Sequence, residues 1–368
     1  MRLRDLKLTN YRNCKDLGLN LESKKILIIG KNAQGKTNIL ESIYFLSTLK
    51  TPRTSNNIEL INFDAEKAEI NCNMLKAETD VELDYTYSRE KKRELAINKV
   101  KTTPKNFKSV LKTVLFSTAD LLLLRGNPSD RRDWLDRAIS QVYPAYDDRL
   151  SKYDKIRIQK NNLLKDYLKT GNLNETLLDV YNEQLVITGS NIIFLRIKFL
   201  KEIERIASEK HHIISETEEL KINYDCLFLN GETELEAIAA AFHQSLEERK
   251  IEETRRGQAC VGPHRDDIIF YINGNEATKF ASQGQQRTVV LALKLSELDI
   301  ITAKTGDEPV LLLDDVLAEL DDLRQNYLLK SISENTQTII TSVDTVLFEE
   351  EFLKDVKIYK IENGRISS

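Results

Sequence analysis

Eight residues near the start of the chain, Gly30-Lys31-Asn32-Ala33-Gln34-Gly35-Lys36-Thr37, fit the pattern G-x-x-x-x-G-K-[ST]. Gly30 and Gly35 allow the backbone to curl until several N–H groups point inward around phosphate oxygens. A helix starting at the end of the loop adds partial positive charge at the same place. Lys36 supplies a full charge toward the β- and γ-phosphates, and Thr37 a hydroxyl oxygen for Mg²⁺. The implied ligands are a nucleotide's phosphates and Mg²⁺. Far along the chain, Val310-Leu311-Leu312-Leu313 runs into Asp314-Asp315. A carboxylate at the end of a buried strand is costly to desolvate unless a cation sits beside it. Asp314 is therefore expected on the metal or just outside its ligand sphere. Asp315, one residue on, is expected to orient or deprotonate the attacking water. A second phosphate-facing turn, Ser282-Gln283-Gly284-Gln285, precedes a helical pattern over 286–301. Ser caps well and Gly permits close backbone approach. Two such helix ends exceed what one nucleotide needs from one domain, so this turn is expected to serve a nucleotide held by a second copy.

The elements that position these residues are legible from patterning. Ile26–Ile29 reads as a strand buried on both faces, followed by a helix from Lys36 to about Leu49. Ile70, Cys72 and Met74, then Val81, Leu83, Tyr85 and Tyr87, alternate with polar residues as half-buried strands do. Asn127-Pro128 opens a helical stretch reaching about His212, with a break at Pro144 and a loop at Thr170-Gly171-Asn172. Leu178, Tyr181, Leu185, Ile192, Leu195 and Phe199 follow 3–4 spacing, which fits a core-facing helix better than a coiled-coil arm. Strand pattern returns at 220–228, helix at 232–251, and a hairpin around Asn273-Gly274. Val310–Leu313 and Gln337–Thr341 complete the set of buried strands. The fold class is α/β: a head formed by residues 1–118 and 258–368, interrupted by a mostly helical insertion at 119–257.

Composition narrows the class. The 368 residues carry 54 basic and 58 acidic side chains, so no overall basic field exists and nucleic-acid contact must come from local patches. Residues 89–112 hold nine Lys or Arg against Glu90 and Glu94, and residues 149–172 hold seven against two acids. Residues 216–253 reverse this, with eleven acids against three bases. Cys14, Cys72, Cys226 and Cys260 show no metal or disulfide spacing, and a cytoplasmic location is expected. Asn98-Lys99-Val100-Lys101 lacks the Asp of a guanine-reading N-K-x-D.

Taken together these residues resemble the ABC-type ATPase heads that work on chromosomes (SMC and its relatives), and within that class the RecF family. The likeness extends to Leu6–Asn13, Gly35–Ile43, Arg53-Thr54, Asn127–Arg132 with Leu135-Asp136, Gly262–Asp267, Ser282–Arg287, Leu312–Asp315 and Glu319–Asp321. One departure is Lys160 in Gln159-Lys160-Asn161, where the family usually shows Arg. The charge is kept and the bidentate fork is lost.

The resemblance implies an ABC-type head with a helical second lobe and a weak ATPase used as a switch. It implies ATP-dependent homodimerisation and binding to single-stranded, gapped or duplex DNA, with RecR and RecO as partners in loading recombinase. By the same resemblance Gly30–Thr37 bind ATP and Mg²⁺, Arg53 approaches the nucleotide, Asp314 holds the metal and Asp315 is the catalytic acid–base. Ser282, Gly284 and Gln285 act across the dimer, and Glu319–Asp321 lie at its junction. Two other classes compete: an SMC-like chromosome organiser and the nucleotide-binding subunit of a transporter. An insertion of about 140 residues is too short for both strands of a long arm. The stretch between Lys36 and Asp314 is longer than such transporter subunits use.

Overall fold

Ile26, Leu27 and Ile28 are wholly buried, each contributing about 1.5–3 kcal/mol by leaving water. A strand apolar on both sides requires neighbours on both edges and cover on both faces. In the computed structural model, which describes residues 1–54, 56–90 and 92–367, that strand sits inside a parallel sheet. The chain divides into two compact units, Met1–Leu122 with Arg287–Ser368, and Leu123–Gln286.

The first unit opens with β1 (Arg2–Tyr11), β2 (Cys14–Asn20), β3 (Lys25–Ile29) and α1 (Lys36–Thr48). It continues through β4 (Lys67–Lys76), β5 (Thr79–Ser88), β6 (Arg93–Ile97), β7 (Val100–Lys101), α2 (Pro104–Lys108) and β8 (Thr113–Ser117). The second unit contains α3 (Pro128–Val142), α4 (Tyr146–Thr170), α5 (Glu175–Ser215), β9 (Leu220–Asp225), α6 (Leu235–Glu248), α7 (Lys250–Arg256), β10 (Asp267–Ile272), β11 (Asn275–Glu276) and α8 (Ala277–Phe280). Helix α9 (Gln283–Thr305) returns the chain to the first unit, which ends with β12 (Val310–Asp314), α10 (Asp322–Ser331), β13 (Thr338–Ser342), α11 (Glu350–Leu353), β14 (Val356–Glu362) and β15 (Arg365–Ser367).

Two six-stranded sheets build the first unit. One is antiparallel, in the order β2-β1-β4-β5-β6-β7; the other runs β15-β14-β3-β13-β12-β8 and is parallel from β14 to β8. One core cluster joins Leu6, Ile70 and Tyr85 of the first sheet, Ile39, Ile43 and Phe45 of α1, and Ile28, Leu312 and Ile339 of the second. Helix α1 is buried nearly all round, as a helix held between two sheets must be.

In the second unit α5 buries Leu178, Leu185, Ile192 and Phe199, while Tyr181 and Leu195 are half-buried. The seam packs on α4, α6 and β9, so the core-facing reading of this helix holds. Gly189 lies on that seam, where a Cβ would stand 2.6 Å from the Phe242 ring. The boundary expected at 257 falls instead at Gln286. The reason is sheet pairing: β10 runs antiparallel to β9 from Asp267↔Asp225 to Ile272↔Leu220, which binds 258–286 to the helical unit. None of the helices among the described residues is long and apolar enough to cross a membrane.

Two neighbouring groups in this unit give opposite pH responses. Burial pushes His264 from 6.5 down to about 3, against the pull of the Ala259 carbonyl. Burial pushes Asp266 from 3.8 up to about 6, against the Tyr224 hydroxyl and Arg196. His264 therefore contributes stability above pH 6.5 that is lost as pH falls toward 3, and Asp266 contributes stability below pH 3.8 that is lost as pH rises through 6. Between pH 4 and 6 the two slopes oppose, each approaching about 1.4 kcal/mol per pH unit. Relative to the parent protein, His264→Gln should gain stability as pH falls from 6 to 4, and Asp266→Asn should lose it. Urea midpoints across that window read both slopes; slopes of the same sign would contradict the assignment.

Candidate nucleotide-binding site

Strands β3, β13 and β12 lie side by side and parallel, with Thr341 level with both Ile28 and Asp314. Their carboxyl ends therefore open at one place, where ligands of open α/β sheets bind. Thr37 Oγ1 donates to Asp314 Oδ1 at 3.0 Å. Thr341 Oγ1 donates to the same oxygen at 2.9 Å and accepts the Asp315 N–H at 2.9 Å. Lys36 Nζ donates to the Gly30 carbonyl at 2.8 Å and lies 3.6 Å from Asp315 Oδ2. Asp315 holds a left-handed backbone (φ 51°), and its Oδ1 is buried with no hydrogen-bond partner among the described residues. Burial raises the Asp314 carboxyl, the Thr341 and Thr37 hydroxyls pull it back, and Asp315 pushes it further up.

This donor set fits a magnesium ion. Thr37 and Asp314 bring hydroxyl and carboxylate oxygens together, and Mg²⁺ is typically held by one or two such protein oxygens plus phosphate and water. Among the described residues there is no cluster of three or more His, Cys, Asp or Glu that could act as a self-sufficient metal cage.

The loop itself is clamped from two sides. Gly35 (φ 111°) stands where a Cβ would approach Asn13 Oδ1 to 2.9 Å, and a Cβ on Gly30 would meet the Ile361 carbonyl at 2.5 Å. Asn13 Oδ1 also accepts from Asn38 Nδ2 at 2.7 Å. In the β14–β15 turn, Gly364 N–H donates to the Gln34 carbonyl at 2.9 Å and Asn363 N–H to Gln34 Oε1 at 2.5 Å. Lys31, Asn32 and Ala33 are exposed at the tip, and Ala33 is left-handed (φ 64°). A cavity of about 620 Å³ lies beside the loop, lined by Gly30, Lys31, Gln34, Val343, Lys360 and Glu362 among others.

Arg53 is placed on the loop's helix: its guanidinium binds Asn38 Oδ1 and Glu41 Oε2. Arg12 takes the other oxygen of Glu41 at 2.7 Å. Burial pushes the Glu41 carboxyl up, but the hydrogen bonds and charges of Arg53 and Arg12 outweigh it and leave it below its ordinary range. Thr341 and Gln34's link to the β14–β15 turn have no local motif in the sequence, and Glu41, though inside the likeness over Gly35–Ile43, gives no sign there of its pairing with Arg12 and Arg53. Thr341 could have been suspected only as the last polar residue of a third buried strand.

By compact unit, the Ser282–Gln285 turn falls at the end of Leu123–Gln286, just before α9 carries the chain into Arg287–Ser368. Its helix begins at Gln283, three residues earlier than the pattern suggests. The cause is a reciprocal cap: Ser282 Oγ accepts the Gln285 N–H at 3.2 Å and Gln285 Oε1 accepts the Ser282 N–H at 2.8 Å. Gln285 Nε2 then donates to Glu218 Oε1 at 2.7 Å. Further along α9, Arg287 reaches Glu319 at 3.0 Å, and Arg324 joins Thr288 (2.9 Å) to Asp321. These bonds tie Glu319–Asp321 to α9 within the first unit.

The two basic segments differ once folded. In 89–112, Arg89 is spent on the carbonyls of Ala65, Asn62 and Phe63. Lys92, Lys99 and Lys101 meet Glu90, Glu82 and Glu94. Lys112 is buried, and burial with nearby Lys76 pushes it down to about 8. Lys91 lies outside the described residues. In 149–172, Lys160 is buried against Glu253 at 2.5 Å and is no surface contact, whereas Arg149, Lys152 and Lys155 of α4 are exposed. The motifs at 127–136 and 262–267 meet in the second unit: Arg131 grips Asp267 with two bonds of 2.7–2.8 Å, and Arg196 of α5 bridges them, gripping Asp136 at 2.8 and 2.9 Å and donating to the Pro263 carbonyl at 2.6 Å.

The family model for the RecF/RecN/SMC N terminal domain matches residues 2–367. The chain is 38% identical, over all 368 of its residues and the full length of each relative, to the DNA replication and repair proteins RecF of Bacillus velezensis and Bacillus subtilis. It superposes with a TM-score of 0.91 and 33% identity on the recombination mediator protein RecF with ATP in the RecFOR pathway, covering 100% of this chain and 97% of that one. The Smc head domain of Pyrococcus furiosus, at 15% identity and a TM-score of 0.55, shares the fold (100% of this chain, 95% of that chain).

Proposed function

The chain belongs to the RecF family, and from that premise we propose that it is an ATP-dependent DNA-binding protein of replication and recombinational repair. Its heads close in pairs on ATP, in the cytoplasm, and open after slow hydrolysis. The observation that carries this reading is the meeting of Lys36, Thr37, Asp314, Asp315 and Thr341 at three adjacent strand ends. Lys36 surrenders its bond to the Gly30 carbonyl to phosphate oxygens, which also draws it off Asp315. Thr37 and Asp314 would hold Mg²⁺, which would screen phosphate charge. Asp315, whose Oδ1 has no hydrogen-bond partner among the described residues, orients the water and takes its proton. Arg53 steadies the first turns of α1 through Asn38 and Glu41. Ser282, Gly284 and Gln285 cap the nucleotide of the second copy in an isologous dimer. Differential affinity of the closed pair for DNA makes ATP a switch. RecO and RecR are the partners that the RecFOR relatives bring to this reading.

Sedimentation with a non-hydrolysable ATP analogue tests it. The parent protein should dimerise with the analogue, and more so with gapped DNA. Ser282→Arg should stay monomeric while binding analogue within a few-fold of the parent. A Ser282→Arg protein that dimerises normally, or that loses monomer binding, would show that the turn does not act across a pair.

A further inference from the structure

The second unit contains a cavity of about 400 Å³ that plays no part in the nucleotide site. Four arginines line it: Arg132 from α3, Arg157 from α4, Arg196 from α5 and Arg265 from the turn after Pro263. Two of them are spent. Arg196 is bidentate on Asp136, and Arg157 meets Asp154 at 3.0 Å. The other two are not. Arg132 gives one N–H to the Asp266 carbonyl (2.7 Å) and Arg265 one to the Ala259 carbonyl (3.2 Å). Neither meets a carboxylate within 4 Å among the described residues, and the remaining acid of the lining, Asp133, is exposed. His264 adds no charge: Tyr153 Oη donates to its Nδ1 at 2.7 Å while its Nε2 faces the Ala259 carbonyl at 3.3 Å.

The wall that presents Arg265 is built rather than loose. Gly262 (φ 122°) sits so tightly on Tyr153 that a Cβ would come within 2.3 Å of its hydroxyl, and Arg265 N–H closes the turn on the Gly262 carbonyl at 2.8 Å. Arg132 is half-buried beside Arg196; burial and that neighbour disfavour its charge, while Asp267, Asp266 and Asp133 favour it without forming an ion pair within 4 Å among the described residues. Planar forks with free N–H groups in a concave polar site match the oxygens of a tetrahedral oxyanion.

We propose that this cavity receives one phosphate of a polynucleotide backbone, gripped by Arg132 and Arg265. The proposal rests on the DNA-binding reading above and assigns that reading a contact in the second unit.

The test is the salt dependence of gapped-duplex binding by the full-length protein. Each lost phosphate contact lowers the slope of log K against log[salt] by about 0.9. Arg265→Gln should lower it by about that much with ATP-analogue binding unchanged, and Arg265→Lys, which keeps the charge without the fork, should keep most of the slope. Arg132→Gln should match Arg265→Gln if it folds; the exposed Arg265 keeps the test decisive if it does not. A parent protein that binds DNA while Arg265→Gln shows the parent slope would overturn the cavity and leave the broader reading standing. A parent protein that binds no DNA would overturn both. An Asp/Glu-rich peptide that displaces DNA from the parent and binds Arg265→Gln poorly would also overturn the assignment, making the ligand a carboxylate.

Discussion

Asp315→Asn should bind ATP as tightly as the parent protein and turn it over about 10²–10⁴-fold more slowly. The substitution is isosteric and keeps the backbone, because Asn tolerates the left-handed conformation that Asp315 adopts (φ 51°). It keeps the N–H donated to Thr341 Oγ1 and removes the charge that faces Lys36 and the oxygen with no partner. Asp314→Ala should behave differently. That carboxylate receives both Thr37 and Thr341, so its loss should abolish magnesium-dependent hydrolysis and weaken magnesium-dependent ATP binding together. Analogue binding with and without Mg²⁺, set against single-turnover hydrolysis, separates the two. An Asp315→Asn protein with near-normal turnover would remove Asp315 from the chemistry.

The second large effect is on stability. Lys160 is 0% exposed, and its amine meets Glu253 Oε2 at 2.5 Å, while Glu253 Oε1 accepts the Cys260 N–H at 2.8 Å. Burial pulls the Lys160 ammonium below its ordinary value and Glu253 holds it charged. Lys160→Met should cost about 3–5 kcal/mol, because it leaves a buried carboxylate unpaired. The double variant Lys160→Met/Glu253→Gln should recover much of that loss, since the neutral amide still accepts from Cys260. Urea denaturation of the two singles and the double measures the coupling. A Lys160→Met cost under about 1 kcal/mol would mean that water reaches the pair.

What the sequence reveals about the site follows from how local each feature is. Gly30–Thr37 is contiguous, and its chemistry depends on the order of eight residues. Asp314 and Asp315 stand out because acids interrupt the end of an apolar run. Thr341 is silent by comparison: a threonine in a buried strand is unremarkable until β13 is known to lie between β3 and β12. Asn363 and Gly364 are an ordinary hairpin turn until they meet Gln34. Charge runs mislead for the same reason. Lys160 and Arg89 count toward basic segments, yet one is sealed against Glu253 and the other laces three carbonyls. The reach of the second unit to Gln286 is hidden in the sequence because the pairing of β9 with β10 spans two intervening helices, a relation no window of sequence contains.

The parallel sheet draws its middle from distant stretches of chain: β3 is flanked by β13 and β14, each made some three hundred positions later. Leu123–Gln286, by contrast, is one uninterrupted stretch. During synthesis the helical unit can reach its native form on the ribosome while the phosphate loop still lacks its flanking strands and the Asn363-Gly364 clasp. Such long-range closure is slow. The ability to grip a nucleotide thus waits on the strands made last, and a copy cut short before β13 would lack a complete head.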